Sequence, residues 1–421
     1  MSRLVNLVGL LVLLAIAWGL SSNRRRVNWV LVAKGVGFQL LLALLILRTP
    51  WAAGFFEWAR QAVQFLLDSS KYGTEFVFGA LANEQVFGSA MGDADRWGFV
   101  FFVQVTGTII LVSAVMAALY HLGIMQWVVW AMAKVMQVVL GTSGSETLAA
   151  AANVFVGQTE APLVIRPYLD RMTRSELMAL MTGGMATIAG GVMAAYVGML
   201  QKYFPDIAGH LLAASVMSAP AALVCAKIMV PETEVSETFG TVPMDYERTS
   251  RNLIDAICRG ATDGMRLSLN VMAMLIAFLA IIRLTDLLLG GLGARLGWQE
   301  LSLTNVFAYV GAPLALTLGV PPDECLVVGR LIAERTIFNE FVAYTHLAQL
   351  LQEGALSERA TLISTYALCG FANFASIAIQ IGGIGALVPS RMAELAELGL
   401  RAMVAGTLAC FMTATIAGVL T

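Results

Sequence analysis

Two short polar runs hold most of the side chains that could do chemistry. The first is NVFVGQTEAP, from Asn153 to Pro162, and the second is ERTIFNEF, from Glu334 to Phe341. Glu160 offers a carboxylate that accepts, and Gln158 an amide that accepts and donates, a pair suited to a ligand with amide-like edges. Glu340 suits a vicinal diol, from which it would accept two hydrogen bonds. Asn373 and Ser376 stand three apart, share a helix face and could join that site. Asn153 and Thr187, with carbonyls near Val156 and Ile188, could form a hard-oxygen cage without formal charge. Such a cage suits a monovalent cation better than Mg2+. Against this, Thr187 can bond back to its own helix, and spacing alone favours that plainer reading. Asn339 and Thr336 read as partners for unpaired backbone. Glu160 and Glu340 fit that role less well, because neutral side chains would fill it more cheaply.

These groups stand out because of what surrounds them. The chain has 421 residues, of which 58% are hydrophobic and only 13% charged, against about 25% in soluble domains. Residues 97–133, 177–201, 360–390 and 402–421 contain no Asp, Glu, Lys or Arg. Each run covers the roughly 20 residues a helix needs to cross a bilayer. The expectation is an all-α polytopic membrane protein with eight transmembrane helices. They fall near residues 4–21, 28–47, 97–121, 176–200, 207–229, 264–288, 360–387 and 400–420. Barrel strands would instead alternate in segments of about ten residues. Residues 51–68 read as an amphipathic interfacial helix, and 231–262 as a polar loop leading to the sixth span. The apolar start of the chain lacks an A-x-A site, so it reads as a first helix rather than a cleaved leader. Arg24, Arg25 and Arg26 between the first two helices, and Arg248, Arg251, Arg259 and Arg266 before the sixth, place those loops inside and both termini outside.

Several function classes find no support. A net charge of −2 gives no basic surface for nucleic acid. The five cysteines are scattered and the three histidines dispersed, so neither suggests a metal site. GTSGS from Gly141 lacks the last glycine of a nucleophile elbow, and His346 has no motif around it to serve Ser143. No phosphate-binding loop appears. An enzyme is not expected.

An internal repeat organises the rest. Residues 124–169 lie on 302–347 without a gap, placing Gly141, Glu146 and Leu148 on Gly319, Glu324 and Leu326. The two polar runs then coincide, and GMATIA from Gly184 matches GFANFA from Gly370. Three crossings separate the polar runs, so the repeats have opposite membrane orientation. The runs become tips of two re-entrant helical hairpins, one from each side, a pattern of secondary transporters. Exposed backbone at such tips is tolerable when buried in protein or lining a wet cavity. The expected domains are 1–122, a scaffold of helices 1–3 with the interfacial helix; 123–231, the first repeat of a transport domain; 232–300, a loop and scaffold helix 6; and 301–421, the second repeat.

GQTEAP from Gly157, NEFVAY from Asn339 and ALCGFANFASIAI from Ala367 resemble the concentrative nucleoside transporter family, over about residues 95–420. The resemblance implies an ion-coupled symporter importing nucleosides such as uridine across a bacterial inner membrane. It implies a homotrimer and an elevator-type alternating-access motion of the transport domain. By this likeness Gln158, Thr159, Glu160 and Val192 meet the base, Glu340, Asn373 and Ser376 bind ribose hydroxyls, and Phe371 packs beside the nucleoside. Sodium maps onto Asn153, Val156, Thr187 and Ile188. Position 187 is Ser in some relatives; Thr keeps the hydroxyl and adds a methyl. Family members divide between sodium and proton coupling, so H+ is the alternative ion. No organic cofactor is implied. A non-transporting nucleoside receptor and a membrane hydrolase using Glu160 and Glu340 are the other classes. The inverted repeat speaks against the first, and the lack of a water-activating partner against the second.

Overall fold

The structure is a computed structural model that describes residues 2–91, 100–242, 250–297 and 301–420. Residues 97–99 of the expected third span, and Arg248, lie outside the described residues. Within the described residues every regular element is helical. Helices α1 (Ser2–Gly19) and α2 (Trp29–Leu47) match the first two expected spans. Helix α3 (Pro50–Phe78) covers the expected amphipathic helix, but it extends to Phe78 rather than residue 68. The polar positions Glu57, Arg60, Gln64, Asp68, Lys71 and Glu75 keep one helical period throughout, so nothing in the pattern ends the helix sooner. Short α4 (Glu84–Ala90) and the apolar α5 (Phe101–His121) follow.

The repeat appears as two sets of elements in the same order. The first set is α6 (Ile124–Leu140), α7 (Gly144–Ala152), α8 (Ala161–Val164), α9 (Arg174–Ala186), α10 (Gly190–Leu200) and α11 (Ile207–Met229). Helix α12 (Leu253–Leu296) then intervenes. The second set is α13 (Leu303–Thr317), α14 (Cys325–Ile337), α15 (Glu340–Gln352), α16 (Glu358–Leu368), α17 (Phe374–Leu387) and α18 (Met392–Leu420). Gly141 and Gly319, matched in the sequence, have φ of +71° and +85°. Both close the helix before a hairpin with a left-handed residue, the conformation that favours glycine.

The fourth and seventh spans are not continuous helices. The fourth breaks between α9 and α10 at Thr187–Ala189, and the seventh between α16 and α17 at Cys369–Asn373. The breaks meet: the Phe371 amide donates to the Thr187 carbonyl at 3.3 Å. A Cβ on Gly370 would lie 2.9 Å from the Met185 carbonyl oxygen, so this crossing admits only glycine without displacement. Each break thereby supplies a partner for backbone that the other has released, which burial would otherwise penalise. Helix α12 also differs from expectation. Its 44 residues begin inside the stretch read as loop, because the Asn252 side chain caps it by accepting from Asp255 N at 2.8 Å. An Asp255–Arg259 pair at 2.9 Å follows one turn later.

Among the described residues six stretches are long and apolar enough to cross a membrane: Trp29–Leu47, Phe102–His121, Arg174–Leu200, Ile207–Met229, Leu253–Arg295 and Pro389–Leu420. Of the apolar 18-residue segment in each stretch, 89% of residues are buried for α9–α10 and for α11, but only 6% for α12. The interior is therefore made by the repeats, and α12 lies outside it along α5. A Cβ at Gly264 would come 2.8 Å from Ile110 Cα, a small-residue contact typical of membrane helices. Helices α1 and α2 pack on α18 and α11. Asn6 of α1 donates to the carbonyls of Leu318 (2.6 Å) and Thr415 (3.1 Å), and accepts from Arg359 at 2.6 Å.

A polar cluster closes the base of the first hairpin. Ser143 and Glu146 form a capping box on α7, and Thr173 and Glu176 form one on α9. Lys227 pairs with Glu146 at 2.7 Å and Glu232 at 3.1 Å. Burial pushes Glu232 up, but Lys227 and the Thr173 hydroxyl outweigh it and hold this carboxyl below its ordinary value. GTSGS is thus a helix start; Ser145 bonds Glu176 and Thr238. His346 bonds Glu334 at 2.7 Å and His121 bonds Ser250 at 2.7 Å, as structural histidines do.

Candidate functional site

The first polar tip runs from the end of α7 to the start of α8. Asn153 sits at the C-terminus of α7 and is 1% exposed, yet its Oδ1 and Nδ2 both lack a hydrogen-bond partner among the described residues. It lies against α9: a Cβ on Gly183 would be 3.2 Å from Asn153 Nδ2. The Thr187 hydroxyl donates to the Gly183 carbonyl at 2.9 Å, the back-bond that spacing favours. That bond uses its hydrogen and leaves oxygen lone pairs. Val156 and Ile188 are buried, and with apolar side chains they can offer a cation only their carbonyls. The Gly190 amide donates to the Phe155 carbonyl at 3.1 Å, fixing the tip against the break in the fourth span.

Further along the tip, Gln158 is buried while Thr159 and Glu160 are exposed. Gln158 Nε2 donates to Ser376 Oγ at 3.1 Å. The methyl of Thr159 packs on α17, 3.0 Å from where a Cβ on Gly383 would stand. Glu160 accepts one long hydrogen bond, 3.4 Å, from Gly157 N. Val192 lies buried in the first turn of α10.

The second tip joins α14 to α15. Asn339 caps α15 by accepting from Val342 N at 2.9 Å, and Thr336 bonds back to Ile332 at 2.9 Å. Both are backbone partners, as their residue types suggest. Glu340 is 5% exposed and faces across the molecule. It accepts from Tyr196 OH at 2.9 Å and from Asn373 Nδ2 at 3.0 Å. Asn373 also caps α17, accepting from Ser376 N at 2.9 Å. Half-buried Phe371 sits in the break before it.

The geometry is reciprocal. The first tip, through Gln158, bonds the broken helix of the second repeat; the second tip, through Glu340, bonds the broken helix of the first. Gln158, Glu340, Asn373 and Ser376 belong to one bonded group bridged by the N-cap of α17. Asn153 and Thr187 form a neighbouring group around Gly183. Two participants escaped the sequence reading. Tyr196 stands four residues after Val192, one turn along α10. Gln380 stands four after Ser376 and seven after Asn373, and donates to Gln158 Oε1 at 3.0 Å and to the Met181 carbonyl at 3.0 Å. A polar stripe at 373, 376 and 380 in an otherwise apolar helix was the available signal. Among the described residues no group of three His, Cys, Asp or Glu side chains could hold a metal ion.

Three family models match the chain. Residues 8–81 match the Na+ dependent nucleoside transporter N-terminus, 210–418 its C-terminus, and 102–203 a domain described as nucleoside recognition. An uncharacterized transporter of Haemophilus influenzae is 43% identical over 99% of this chain and 98% of its own length. Rat sodium/nucleoside cotransporter 1 is 40% identical over 99% of this chain, which spans 64% of that relative. The solved structure of CNTnw in an inward-facing, substrate-bound state superposes with a TM-score of 0.92 at 39% identity, covering 100% of this chain and 98% of that one. A CNTnw variant in an outward-facing state gives 0.93 at 39% identity, over 100% of this chain and 98% of that one.

Proposed function

Because the chain belongs to the Na+-dependent nucleoside transporter family, the concentrative transporters that its motifs resemble, we propose that it is a sodium-coupled symporter importing nucleosides such as uridine. The observation that carries this reading is the setting of Glu340. Its buried carboxylate has about four acceptor positions, and Tyr196 and Asn373 take two. A ribose diol takes the others, with Asn373 and Ser376 beside it. Gln158, Thr159, Glu160 and Val192 face the base, and Phe371 packs against the nucleoside.

Sodium, a co-substrate, is held by Asn153, Thr187 and the carbonyls of Val156 and Ile188. Asn153 supports this: a buried amide is ordinarily paired, and a cation gives its Oδ1 a partner. Coupling requires the ion to favour the loaded state, since a ligand with equal affinity for two states shifts nothing. Asn153 and Gln158 share one tip, so an ion that orders the first also orders the contact to the base.

The transport domain, residues 123–231 and 301–421, moves elevator-fashion against a scaffold containing α3, α5 and α12. Helices α1 and α2 pack chiefly on α11 and α18, so we assign them to the moving part rather than to a scaffold spanning 1–122. The chain works as a homotrimer in a bacterial inner membrane, multi-pass, with both termini outside. The test is uptake of labelled uridine into proteoliposomes, with an inward sodium gradient or sodium-free at matched pH. Accumulation that depends on sodium is expected. Equal uptake in both would remove sodium and make a proton gradient the next test. Binding without accumulation would remove transport.

A further inference from the structure

Gln380 has no role in the proposed function, yet it is a fully buried polar side chain bonded directly to Gln158. It is 0% exposed, on α17. The Met181 carbonyl can only accept, so the Gln380 atom facing it at 3.0 Å is the amide nitrogen. The same nitrogen lies 3.0 Å from the Gln158 amide, so the Gln158 atom opposite must be its oxygen. That leaves Gln158 Nε2 toward Ser376 Oγ at 3.1 Å, with one N–H to spare. One backbone carbonyl thus fixes the direction of two successive amides.

Gly184 lies beneath this pair. A Cβ there would stand 2.7 Å from Gln380 Nε2 and 2.9 Å from Gln158 Cβ. The arrangement has a cost, since Gln380 Oε1 is buried with no partner among the described residues. An apolar side chain would fill the position without stranding an oxygen.

We infer that Gln380 is a positioning residue for base selection: by engaging Gln158 Oε1 it makes an amide able to donate or accept present a donor to the base. This rests on the proposed contact between Gln158 and the nucleobase. The favoured edge then carries an acceptor, as cytosine does at N3. With base N3 set opposite Gln158, uracil presents N3–H and opposes donor to donor, so uridine is carried less well than cytidine. The same division separates adenine, with an acceptor at N1, from hypoxanthine and guanine, with N1–H.

The test measures kcat/KM for cytidine, uridine and 2′-deoxyuridine uptake in proteoliposomes, for wild type, Gln380→Leu and Gln380→Met. Both variants free Gln158 to turn its oxygen outward. The uridine-to-cytidine ratio should rise about 5- to 10-fold in each, as expected for one mispaired hydrogen bond relieved. The uridine-to-2′-deoxyuridine ratio reads the ribose side and should hold. An unchanged base ratio in both variants overturns the inference while leaving nucleoside transport intact. Equal loss for all three substrates also overturns it, since that is what a purely structural residue would give. A wild type that takes up none of them sinks the nucleoside reading itself, and this inference with it.

Discussion

Replacing Glu340 by Gln separates the charge of this side chain from its shape. The amide can keep both native partners: its oxygen accepts from Asn373 Nδ2, now 3.0 Å from the carboxylate, and its nitrogen donates to the Tyr196 oxygen, now at 2.9 Å. The fold should survive, because the phenol can turn its hydrogen aside. The ribose side cannot adjust in this way. A hydrogen bond to a charged group contributes about 1.5–3 kcal/mol and a neutral one about 0.5–1.5 kcal/mol. Weakening two such bonds costs about 2–3 kcal/mol, or about 30- to 140-fold in KM for uridine. The assay is uptake of uridine and of 2′,3′-dideoxyuridine by wild-type and Glu340→Gln protein in proteoliposomes. Only the uridine KM should rise, because the dideoxy substrate has no diol to lose. A wild-type KM for uridine in the variant, or an equal loss for both substrates, would refute the assignment.

Asn153→Ala should raise the sodium concentration needed for half-maximal uptake at least about 10-fold, the effect of about one lost strong ligand, with little loss of thermal stability because neither amide atom is paired; a sodium titration of uptake reads it. Thr187→Ala should weaken sodium dependence more than it weakens nucleoside binding at saturating sodium, which a binding isotherm with and without sodium separates. Lys227→Met should destabilise the fold by about 3–5 kcal/mol, because it leaves buried Glu146 uncompensated, and adding Glu146→Gln should recover most of the loss in thermal unfolding. Glu232 is held below its ordinary value of 4.5; the stability it contributes is present above that value and falls away as pH drops through the lowered one. The melting temperature of wild type should therefore decline below about pH 4.5 more than that of Glu232→Gln.

Most of the architecture was legible because lipid imposes strong patterns. Uncharged runs mark α5, α9–α10 and α16–α18, and the sequence places the fifth span at 207–229, where α11 lies. The matched GMATIA and GFANFA mark the fourth and seventh spans as interrupted, but where each helix stops is not legible, because that depends on the other. Thr187 and Phe371 lie far apart in sequence, and their meeting gives backbone released at each break a partner. The charged start of α12 read as loop because its helix-forming features, the Asn252 cap and the Asp255–Arg259 pair, are local and polar. In the site, residues within the two polar runs were found by their contrast with an apolar background. Tyr196 is not legible because a lone aromatic in an apolar helix reads as packing until its partner is known, whereas Gln380 shows only as the third member of the stripe at 373, 376 and 380.

The knot at Asn6 bears on how the molecule is made. Its amide reaches Thr415, 409 positions later. At about 5–20 residues per second of synthesis, α1 waits roughly 20–80 seconds in the bilayer before that partner exists. Helix α1 thus settles fully only after α18 has been made. A nascent chain that stops before α18 keeps Asn6 short of its Thr415 acceptor, which chemically distinguishes a copy without α18 from one that has it.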